Sequence, residues 1–256
     1  MLRPNAADAM NDGDFLPNSS EVHVWAIWLK APDEVSRAYR ALLLPEEIAR
    51  ADRFAFDHLK RSYEVSQGAL RLLLACYLRC QPRSLAFTFG PKGKPALRGG
   101  SHLQFNLSNS VDLALYAFAV DCELGVDVER VQTMTDLEHV ASRYFCEAEA
   151  SELLSIGNKL ARQEAFFRCW TRKEAYIKAV GTGLCLPLDQ FQVTLLPDDP
   201  PRFVHIGNSA KAAAEWTLQH LDPASGYVGA LAYHSAPRKI GFRQPQAPQE
   251  LLEQFG

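Results

Sequence analysis

The chain runs through the same order of segments twice, and this repetition limits the folds it can adopt. In the first half a short β-rich segment, residues 22–29, is followed by helical patterns, of which the longest covers residues 57–78, and then by strands. The second half has helical patterns from about residue 135 to 156 and a long one from about 160 to 180, again followed by strands. We therefore predict an α+β fold of two pseudo-symmetric lobes, each an antiparallel sheet packed with a long helix.

Period-2 alternation marks the strands that follow the first long helix. Leu103, Phe105 and Leu107 alternate with polar residues, which is typical of a half-buried strand. A turn leads to the nearly continuous apolar run Leu113–Val120, and a second turn leads to the segment 125–129, with the sequence GVDVE. These segments are predicted to form an antiparallel meander of three strands.

The repeat also predicts how the chain is divided. Residues 21–130 are expected to form an N-terminal lobe and residues 131–235 a C-terminal lobe. A loose N-terminal tail, residues 1–20, precedes them, and a Pro- and Gln-rich surface tail, residues 236–256, follows. A cleft between two such lobes is a common place for a ligand.

Composition places the chain among ordinary soluble globular proteins. Its 256 residues include 27 Lys and Arg against 30 Asp and Glu, a formal net charge of −3, which argues against bulk capture of nucleic acid. The longest apolar stretch is far shorter than the ~20 residues that span a bilayer, and Met1–Ser20 lacks the apolar region of a signal peptide. Together with six scattered cysteines, which are typical of reduced thiols, these features predict a cytoplasmic protein with no membrane and no nucleic-acid partner.

Two carboxylates, Asp127 and Glu129, stand two residues apart in the predicted strand 125–129. Both therefore project from the same face of the strand, about 7 Å apart at their Cα atoms, a geometry that can hold one hard divalent ion. Taken alone, a D-x-E pair is more typical of the solvated face of an edge strand. The pair by itself does not distinguish a metal site from a solvated strand face.

A line of side chains along the second long helix favours the metal interpretation. Phe166, Trp170, Glu174 and Lys178 follow one another at i,i+4 spacing. Because Glu174 continues an aromatic stripe, its carboxylate is expected to be partly buried or to face a cleft, where it needs a cationic partner. An exposed Glu174–Lys178 ion pair is the simpler alternative. A Mg²⁺ ion shared with the two strand carboxylates agrees better with the stripe and leaves positions for water and substrate phosphates.

Basic residues outside the carboxylate group are candidates for binding a polyphosphate. They lie on helices, in the Gly/Pro loop 90–95 and near the end of the second long helix: Arg53, Lys60, Arg61, Lys92, Lys94 and Lys178. Each one alone is typical of an ordinary surface charge. The sequence has neither a Walker-type nor a Rossmann-type glycine loop. The turn Ser108-Asn109-Ser110 offers hydroxyl and amide donors that equally suit simple turn chemistry.

Four motifs, in this order, resemble those of the 4′-phosphopantetheinyl transferases: GKP (93–95), FNLSNS (105–110), GVDVE (125–129) and WTRKEAYIKAVGTGL (170–184). The resemblance covers about residues 22 to 234. The two-lobed length, with Trp25 in an opening strand, is similar to the surfactin-synthetase-activating, or Sfp-like, group, whose single chain mimics a dimer. The resemblance implies a monomer with coenzyme A and Mg²⁺ in the cleft between its lobes.

Carried over residue by residue, the resemblance implies the metal site and its surroundings. Asp127, Glu129 and Glu174 would be the Mg²⁺ ligands, and Lys178 would contact the coenzyme A phosphates. Glu149 lies at a position where the family has an acidic residue, and the sequence does not indicate its role.

The same resemblance implies contacts to the rest of coenzyme A. Lys94 resembles the family lysine that reaches the adenosine end, and Arg53 and Arg61 lie where the family places basic residues on the 3′-phosphate. Ser108 and Asn109 of the FNLSNS motif are further expected contacts. Asn109 departs from the family, which usually has a histidine there. An amide donates hydrogen bonds but cannot become cationic, so a charge-assisted contact to the 3′-phosphate is lost.

The mechanism that the resemblance implies is attack by a serine hydroxyl of an apo acyl or peptidyl carrier protein on the β-phosphorus of coenzyme A, with release of 3′,5′-ADP. Mg²⁺ would stabilise the charge on the leaving group. Glu174 is expected to act as general base, directly or through a metal-bound water, and Lys178 to neutralise the leaving phosphate. Such carriers serve fatty acid, polyketide or nonribosomal peptide biosynthesis.

Two other functions remain open on the sequence. A Mg²⁺-dependent phosphodiesterase or nucleotidyl hydrolase would use the same carboxylates and lysines. A non-catalytic module that binds coenzyme A or a carrier protein would account for Asn109, although the intact carboxylates and Lys178 argue against it.

Overall fold

The computed structural model describes residues 16–256, apart from the side chain of Leu184, so most of the predicted N-terminal tail lies outside the described residues. The strands are β1 (Glu21–Trp28), β2 (Phe87–Phe89), β3 (Pro95–Leu97), β4 (Leu103–Ser110), β5 (Leu113–Val120), β6 (Leu124–Arg130), β7 (Phe191–Val193), β8 (Phe203–Ile206), β9 (Thr217–Leu221), β10 (Tyr227–Tyr233) and β11 (Lys239–Gln246). The helices are α1 (Asp33–Ala41), α2 (Pro45–Ala51), α3 (Asp57–Leu78), α4 (Leu137–Tyr144), α5 (Glu147–Ser155), α6 (Lys159–Val180), α7 (Ala210–Ala214) and α8 (Pro248–Phe255).

The two long helices lie where the sequence predicts them. α3 and α6 each contain 22 residues. The side chain of Asn158 caps α6 by accepting hydrogen bonds from the backbone N–H groups of Leu160 and Ala161. Gly181 ends α6 with a φ of +74°, a left-handed conformation that glycine adopts without a steric penalty.

The first sheet has the strand order β11–β1–β5–β4. β5 pairs antiparallel with both β1 and β4, whereas β11 pairs parallel with β1. α3 contributes to a core with one face of this sheet, in which Trp25, Leu73, Tyr116 and Phe118 are no more than 2 % exposed. The long first helix therefore buries its apolar side chains against an antiparallel pair of strands.

The second sheet has the strand order β6–β10–β9, and its neighbouring strands are antiparallel. α6 lies against β6 and β10, and its side chain Phe166 belongs to the same buried cluster as Ala230 of β10. The hairpins β2–β3 and β7–β8 form separate two-stranded sheets. The α+β class predicted from the sequence is confirmed.

The predicted three-stranded meander is wrong in its third strand. β4 and β5 pair as predicted, but β6 pairs with β10, with Asp127 opposite Ala230. Gly125 explains part of this arrangement, because a Cβ atom there would lie 2.2 Å from the carbonyl oxygen of Ala175. The absence of a side chain lets β6 lie directly on α6, which packs on the second sheet.

The expected surface tail after residue 235 instead completes the first sheet. β11 is an edge strand whose side chains are mostly half-buried. Its Pro- and Gln-rich sequence is not typical of a strand, but an edge strand tolerates a proline such as Pro245. α8 follows, with Leu251 fully buried in the core beneath α3. The hydroxyl of Tyr39 donates to the carbonyl of Pro248 at 2.7 Å. The prediction of a tail is therefore wrong.

Among residues 16–256, the helices are all too short or too polar to cross a membrane. All six cysteines are free thiols.

Candidate functional site

Polar side chains on β4 connect that strand to β6, although the two strands belong to different sheets. The Oδ1 atom of Asn106 accepts a hydrogen bond from the backbone N–H of Val126 at 2.9 Å. Farther along β4, Ser108 donates to Asp127 Oδ1 at 2.8 Å and Ser110 donates to Glu129 Oε2 at 2.7 Å. Because alternate residues of a strand share a face, one face of β4 fixes both carboxylates of the D-x-E pair.

α6 brings the remaining charged groups to the same place. Lys178 Nζ lies 2.6 Å from Asp127 Oδ1 and 2.7 Å from Ser108 Oγ. Glu174 lies one helical turn earlier on α6. The close approach of Gly125 to this helix sets the separation between α6 and β6. The structure thus brings Asp127, Glu174 and Lys178 together from different elements.

The carboxylates of this site lie within one another's electrostatic fields. Burial raises the pKa of Asp127, whereas Lys178 opposes the rise. Burial also raises the pKa of Glu129, with a contribution from the Asp127 charge. Burial and then repulsion from Asp127 raise the pKa of Glu174. One ammonium group is therefore shared by three carboxylates, an excess of negative charge that favours a bound cation.

Asp127 also has an oxygen atom that the protein leaves unused. Its Oδ2 atom is buried and has no hydrogen-bond partner among the described residues, which is costly for a carboxylate oxygen. Within residues 16–256, no three His, Cys, Asp or Glu side chains are arranged closely enough to form a metal-binding group. The side chains of Asp127, Glu129 and Glu174 nevertheless suit a hard cation, because each offers carboxylate oxygens. One of these oxygens, Asp127 Oδ2, is buried and unpaired within the described residues.

A cavity of about 290 Å³ opens beside the carboxylates. Its walls come from the β2–β3 hairpin, β4 and the end of α6, and the lining residues include Lys92, Lys94, Asn106, Leu107, Glu174 and Lys178. Gly183 also lines it, with a φ of +57°. Three lysines in its wall make the cavity suitable for an anionic ligand that approaches Glu174.

Lys94 connects the elements that form the wall of this cavity. Its Nζ atom donates to the carbonyl oxygen of Ala179 at 2.6 Å and to that of Leu124 at 3.1 Å. Burial lowers the pKa of this ammonium group. Lys94 therefore ties the hairpin loop to the start of β6 and the end of α6.

Other residues predicted for coenzyme A binding lie apart from the carboxylates. Asn109 is exposed and, as a neighbour of Ser108 in β4, projects from the opposite face. Arg61 forms an ion pair with Asp33, and Arg53 is exposed. Neither arginine lines the cavity beside Glu174.

The structure gives a role to Glu149. Its side chain is fully buried and lies 2.7 Å from Lys173 Nζ. It also accepts hydrogen bonds from the backbone N–H groups of Cys146 and Val193, at 3.0 and 2.7 Å. Glu149 thus joins α5, α6 and β7 and supports the helix that carries Glu174.

One residue of the site, Asn106, was missed from the sequence, and Ser110 was considered only as a donor in a turn. Both contact β6 directly. The alternation along β4 already placed Asn106 on the same face as Ser108, but it gave no indication that β6 lay opposite that face.

Comparisons with known proteins point to one family. Residues 123–232 match the model of the 4′-phosphopantetheinyl transferase superfamily. The chain is 36 % identical over 217 residues to the 4′-phosphopantetheinyl transferase HetI of Nostoc sp., in an alignment that covers 84 % of this chain and 88 % of that protein. It is 27 % identical over 177 residues to the 4′-phosphopantetheinyl transferase Sfp of Bacillus subtilis, in an alignment that covers 68 % of this chain and 77 % of that protein.

Proposed function

This chain belongs to the 4′-phosphopantetheinyl transferase superfamily and is an Sfp-like enzyme that transfers the phosphopantetheine arm of coenzyme A to carrier proteins, and we propose that Mg²⁺ held by Asp127, Glu129 and Glu174 assists this transfer. The reaction releases 3′,5′-ADP. Since β4, β6 and α6 of one chain supply the site, a monomer is sufficient for activity. We propose residues 21–130 and 131–235 as the two lobes, with the exception that β6 joins the sheet of the second lobe and β11, after residue 235, joins the sheet of the first.

The unpaired Oδ2 atom of Asp127 is the observation that carries this proposal. It is buried next to a hydrogen-bonded Oδ1 atom, so it offers a cation an oxygen that no hydrogen bond within residues 16–256 uses. Mg²⁺ prefers carboxylate oxygens and keeps positions for substrate phosphates. When bound, it would neutralise charge that develops on the diphosphate.

Lys178 supplies the second positive charge. Its ammonium group lies against Asp127 and also lines the cavity, so it is positioned to contact a phosphate oxygen of coenzyme A. As the bond between the β-phosphorus and the bridging oxygen breaks, Lys178 stabilises the negative charge on the 3′,5′-ADP leaving group.

Glu174 accepts the proton of the attacking serine. The serine oxygen forms a bond to the β-phosphorus, its proton passes to the Glu174 carboxylate, and 3′,5′-ADP departs with the bridging oxygen. In the absence of a metal ion, burial and then repulsion from Asp127 raise the pKa of Glu174. Glu174 also lines the cavity, within reach of a bound substrate.

The remaining coenzyme A contacts are proposed for residues near the cavity or on α2–α3. Lys94 lines the wall on which the adenosine end would lie. Ser108 is proposed for a phosphate contact, for which its hydroxyl would have to exchange Asp127 for a phosphate oxygen. Asn109, Arg53 and Arg61 are proposed for the 3′-phosphate. Arg61 would have to exchange Asp33 for that phosphate.

The proposed role of Glu174 is tested by comparing Glu174→Gln with Glu164→Gln, a matched change at an exposed position of the same helix. The readout is the mass of an apo carrier after incubation with coenzyme A and saturating Mg²⁺. We expect Glu174→Gln to lose about 100-fold or more in turnover, whereas Glu164→Gln stays near wild type. Near-normal turnover by Glu174→Gln would remove it from the mechanism.

A Mg²⁺-dependent hydrolase is distinguished by leaving out the acceptor. We expect coenzyme A to remain intact when it is incubated with the protein and Mg²⁺ alone. Cleavage without any carrier would favour the hydrolase.

A further inference from the structure

Asn106 is a buried polar residue at the junction of the two sheets. It is 5 % exposed, and its Oδ1 atom accepts the hydrogen bond from the backbone N–H of Val126. A backbone N–H group can only donate, so the oxygen of this side-chain amide must face β6. The orientation of the Asn106 amide is therefore fixed by chemistry.

The nitrogen of the same amide faces the other way. Nδ2 carries two N–H donors, and the structure gives it no hydrogen-bond partner within residues 16–256. It is also absent from the side-chain atoms that are both buried and unpaired, so it reaches an accessible surface. Asn106 lines the cavity that also contains Glu174 and Lys178. Its free donors therefore point into that cavity.

The surroundings of Nδ2 indicate the acceptor that it would meet. Lys92, Lys94 and Lys178 contribute positive charge to the cavity wall, so an anionic ligand is favoured there. Val126, which holds the other end of the amide, directly precedes Asp127. The donor thus lies in the same cavity as Glu174 and Lys178, where the diphosphate is proposed to bind.

We propose that the side-chain amide of Asn106 binds, through Nδ2, an oxygen of the adenosine 5′-phosphate of coenzyme A, the half of the diphosphate that Lys178 of the same cavity also contacts, while its Oδ1 atom holds β6. The proposal rests on the function proposed above and adds a binding residue to it. A neutral donor in this position contacts an oxygen without adding charge next to the three carboxylates. The same side chain joins the ligand to the strand that carries Asp127 and Glu129.

Asn106→Asp separates the two roles of the amide. The aspartate keeps an oxygen for the Val126 N–H group but replaces the cavity-facing donor with a carboxylate oxygen. We expect a lower melting temperature, because a largely buried carboxylate is added near the three others, so affinities are compared well below the melting transition of the variant. Affinity for coenzyme A and for 3′,5′-ADP, measured by calorimetry without a carrier protein, should fall about 10- to 100-fold. Unchanged affinity for both ligands would overturn the proposal.

Gln104→Glu is the matched control for added charge. Gln104 lies two residues before Asn106 on the same face of β4, and its amide bonds to the carbonyl of Ser101 instead of lining the cavity. We expect its affinity for both ligands to stay within about twofold of wild type, because Gln104 lies outside the cavity and is partly exposed, so solvent screens the added charge. A loss as large as that of Asn106→Asp would show a general charge effect and overturn the proposal.

The two ligands locate the contact along coenzyme A. 3′,5′-ADP keeps the adenosine 5′-phosphate but lacks the β-phosphate and the pantetheine arm, so the proposed contact predicts that Asn106→Asp weakens both ligands. If only coenzyme A were weakened, the donor would serve the β-phosphate or the arm instead, which contradicts the proposal.

A measurement on the unmodified protein does not depend on the folding of a variant. In ¹⁵N–¹H spectra, the side-chain NH₂ signals of Asn106 should shift when 3′,5′-ADP is added, whereas those of Gln104 should not. Unshifted Asn106 signals at saturating ligand would overturn the proposal. These binding measurements are separate from transfer: a protein that binds 3′,5′-ADP through Asn106 but modifies no carrier would contradict only the proposed function.

Discussion

The ammonium group of Lys178 lies 2.6 Å from Oδ1 of Asp127, and the Asp127 side chain is only 4 % exposed. A residue near the C-terminal end of α6 thus neutralises a carboxylate that β6 carries into the interior. This contact joins the helix and the strand at the centre of the proposed site, and it predicts a measurable coupling between the two residues.

Replacing Lys178 with Met should destabilise the protein, because the buried Asp127 carboxylate loses its cationic partner. We expect the free energy of unfolding to fall by about 1–3 kcal/mol, measured by urea denaturation without Mg²⁺. Adding Asp127→Asn should recover part of this loss. Lys159→Met, at the exposed start of the same helix, is the control and should have little effect. Additive losses in the double variant would show that the contact is not energetically important.

Gly125→Ala should disturb the approach of β6 to α6. The new Cβ atom would lie 2.2 Å from the Ala175 carbonyl oxygen and 2.3 Å from the Ala179 nitrogen, and backbone atoms cannot move aside without shifting the helix. We expect a loss of about 1–3 kcal/mol or more in the free energy of unfolding, together with reduced transfer activity. Gly157→Ala, where a Cβ atom meets nothing within 4 Å, should be tolerated. Equal stability of the two variants would contradict the packing that we describe.

The parts of the fold that were predicted from the sequence depend on local patterns. α3 and α6 are long enough for their helical periodicity to be clear, and β4 and β5 are adjacent strands joined by a short turn. The partners of β6 and β11 were not predicted, because strand pairing across more than a hundred residues leaves no local pattern. An edge strand such as β11 also lacks the apolar alternation that identifies a half-buried strand.

The candidate site likewise has some features that local sequence patterns predict and others that depend on contacts between distant segments. The spacing of Asp127 and Glu129, and the stripe that ends at Glu174 and Lys178, are local features that the sequence displays. The contacts of Asn106 and Ser110 to β6 join separate sheets, so they appear only in three dimensions. The two carbonyl contacts of Lys94 likewise depend on the packing of a hairpin loop against α6 and β6.

Val111 has strained backbone geometry next to the site. It lies in the β4–β5 turn with a φ of +53° and is 52 % exposed, a conformation that is unfavourable for a β-branched residue. Val111→Gly should raise the free energy of unfolding by about 1 kcal/mol. Val111→Ala should gain less, because it keeps the Cβ atom that causes the strain. Thermal unfolding of both variants tests this order, and equal gains would point to the loss of exposed apolar surface instead.

Stability should also depend on pH through His23. Its Nδ1 atom lies 3.0 Å from the hydroxyl of Tyr77, which accepts from Trp25 Nε1 at 2.9 Å, so Tyr77 is placed to donate to a neutral His23. Burial, and then the charge of Arg243, lower the pKa of His23. The unfolded chain therefore binds this proton more readily. The stabilisation is present above about pH 6.5 and is lost as the pH falls from there through the lower pKa of the folded state.

His23→Gln tests this assignment. We expect the wild type to lose more stability than His23→Gln between neutral pH and pH 5, with thermal unfolding as the readout. His139→Gln, which changes an exposed histidine, should follow the wild-type curve. Parallel curves for the wild type and His23→Gln would rule out His23 as the titrating group.

Asp127, Glu129 and Glu174 are proposed to hold Mg²⁺ for the transfer of the coenzyme A arm to a carrier serine. The most direct measurement is the intact mass of a panel of apo acyl and peptidyl carriers after incubation with the protein and coenzyme A, with Mg²⁺ or with EDTA. We predict that at least one carrier gains a single phosphopantetheine arm, that 3′,5′-ADP appears in equal amount, and that EDTA abolishes both. A carrier panel that stays unmodified with Mg²⁺ would contradict the transfer activity. A mass gain that is unchanged in EDTA would contradict the role of Mg²⁺ at the three carboxylates.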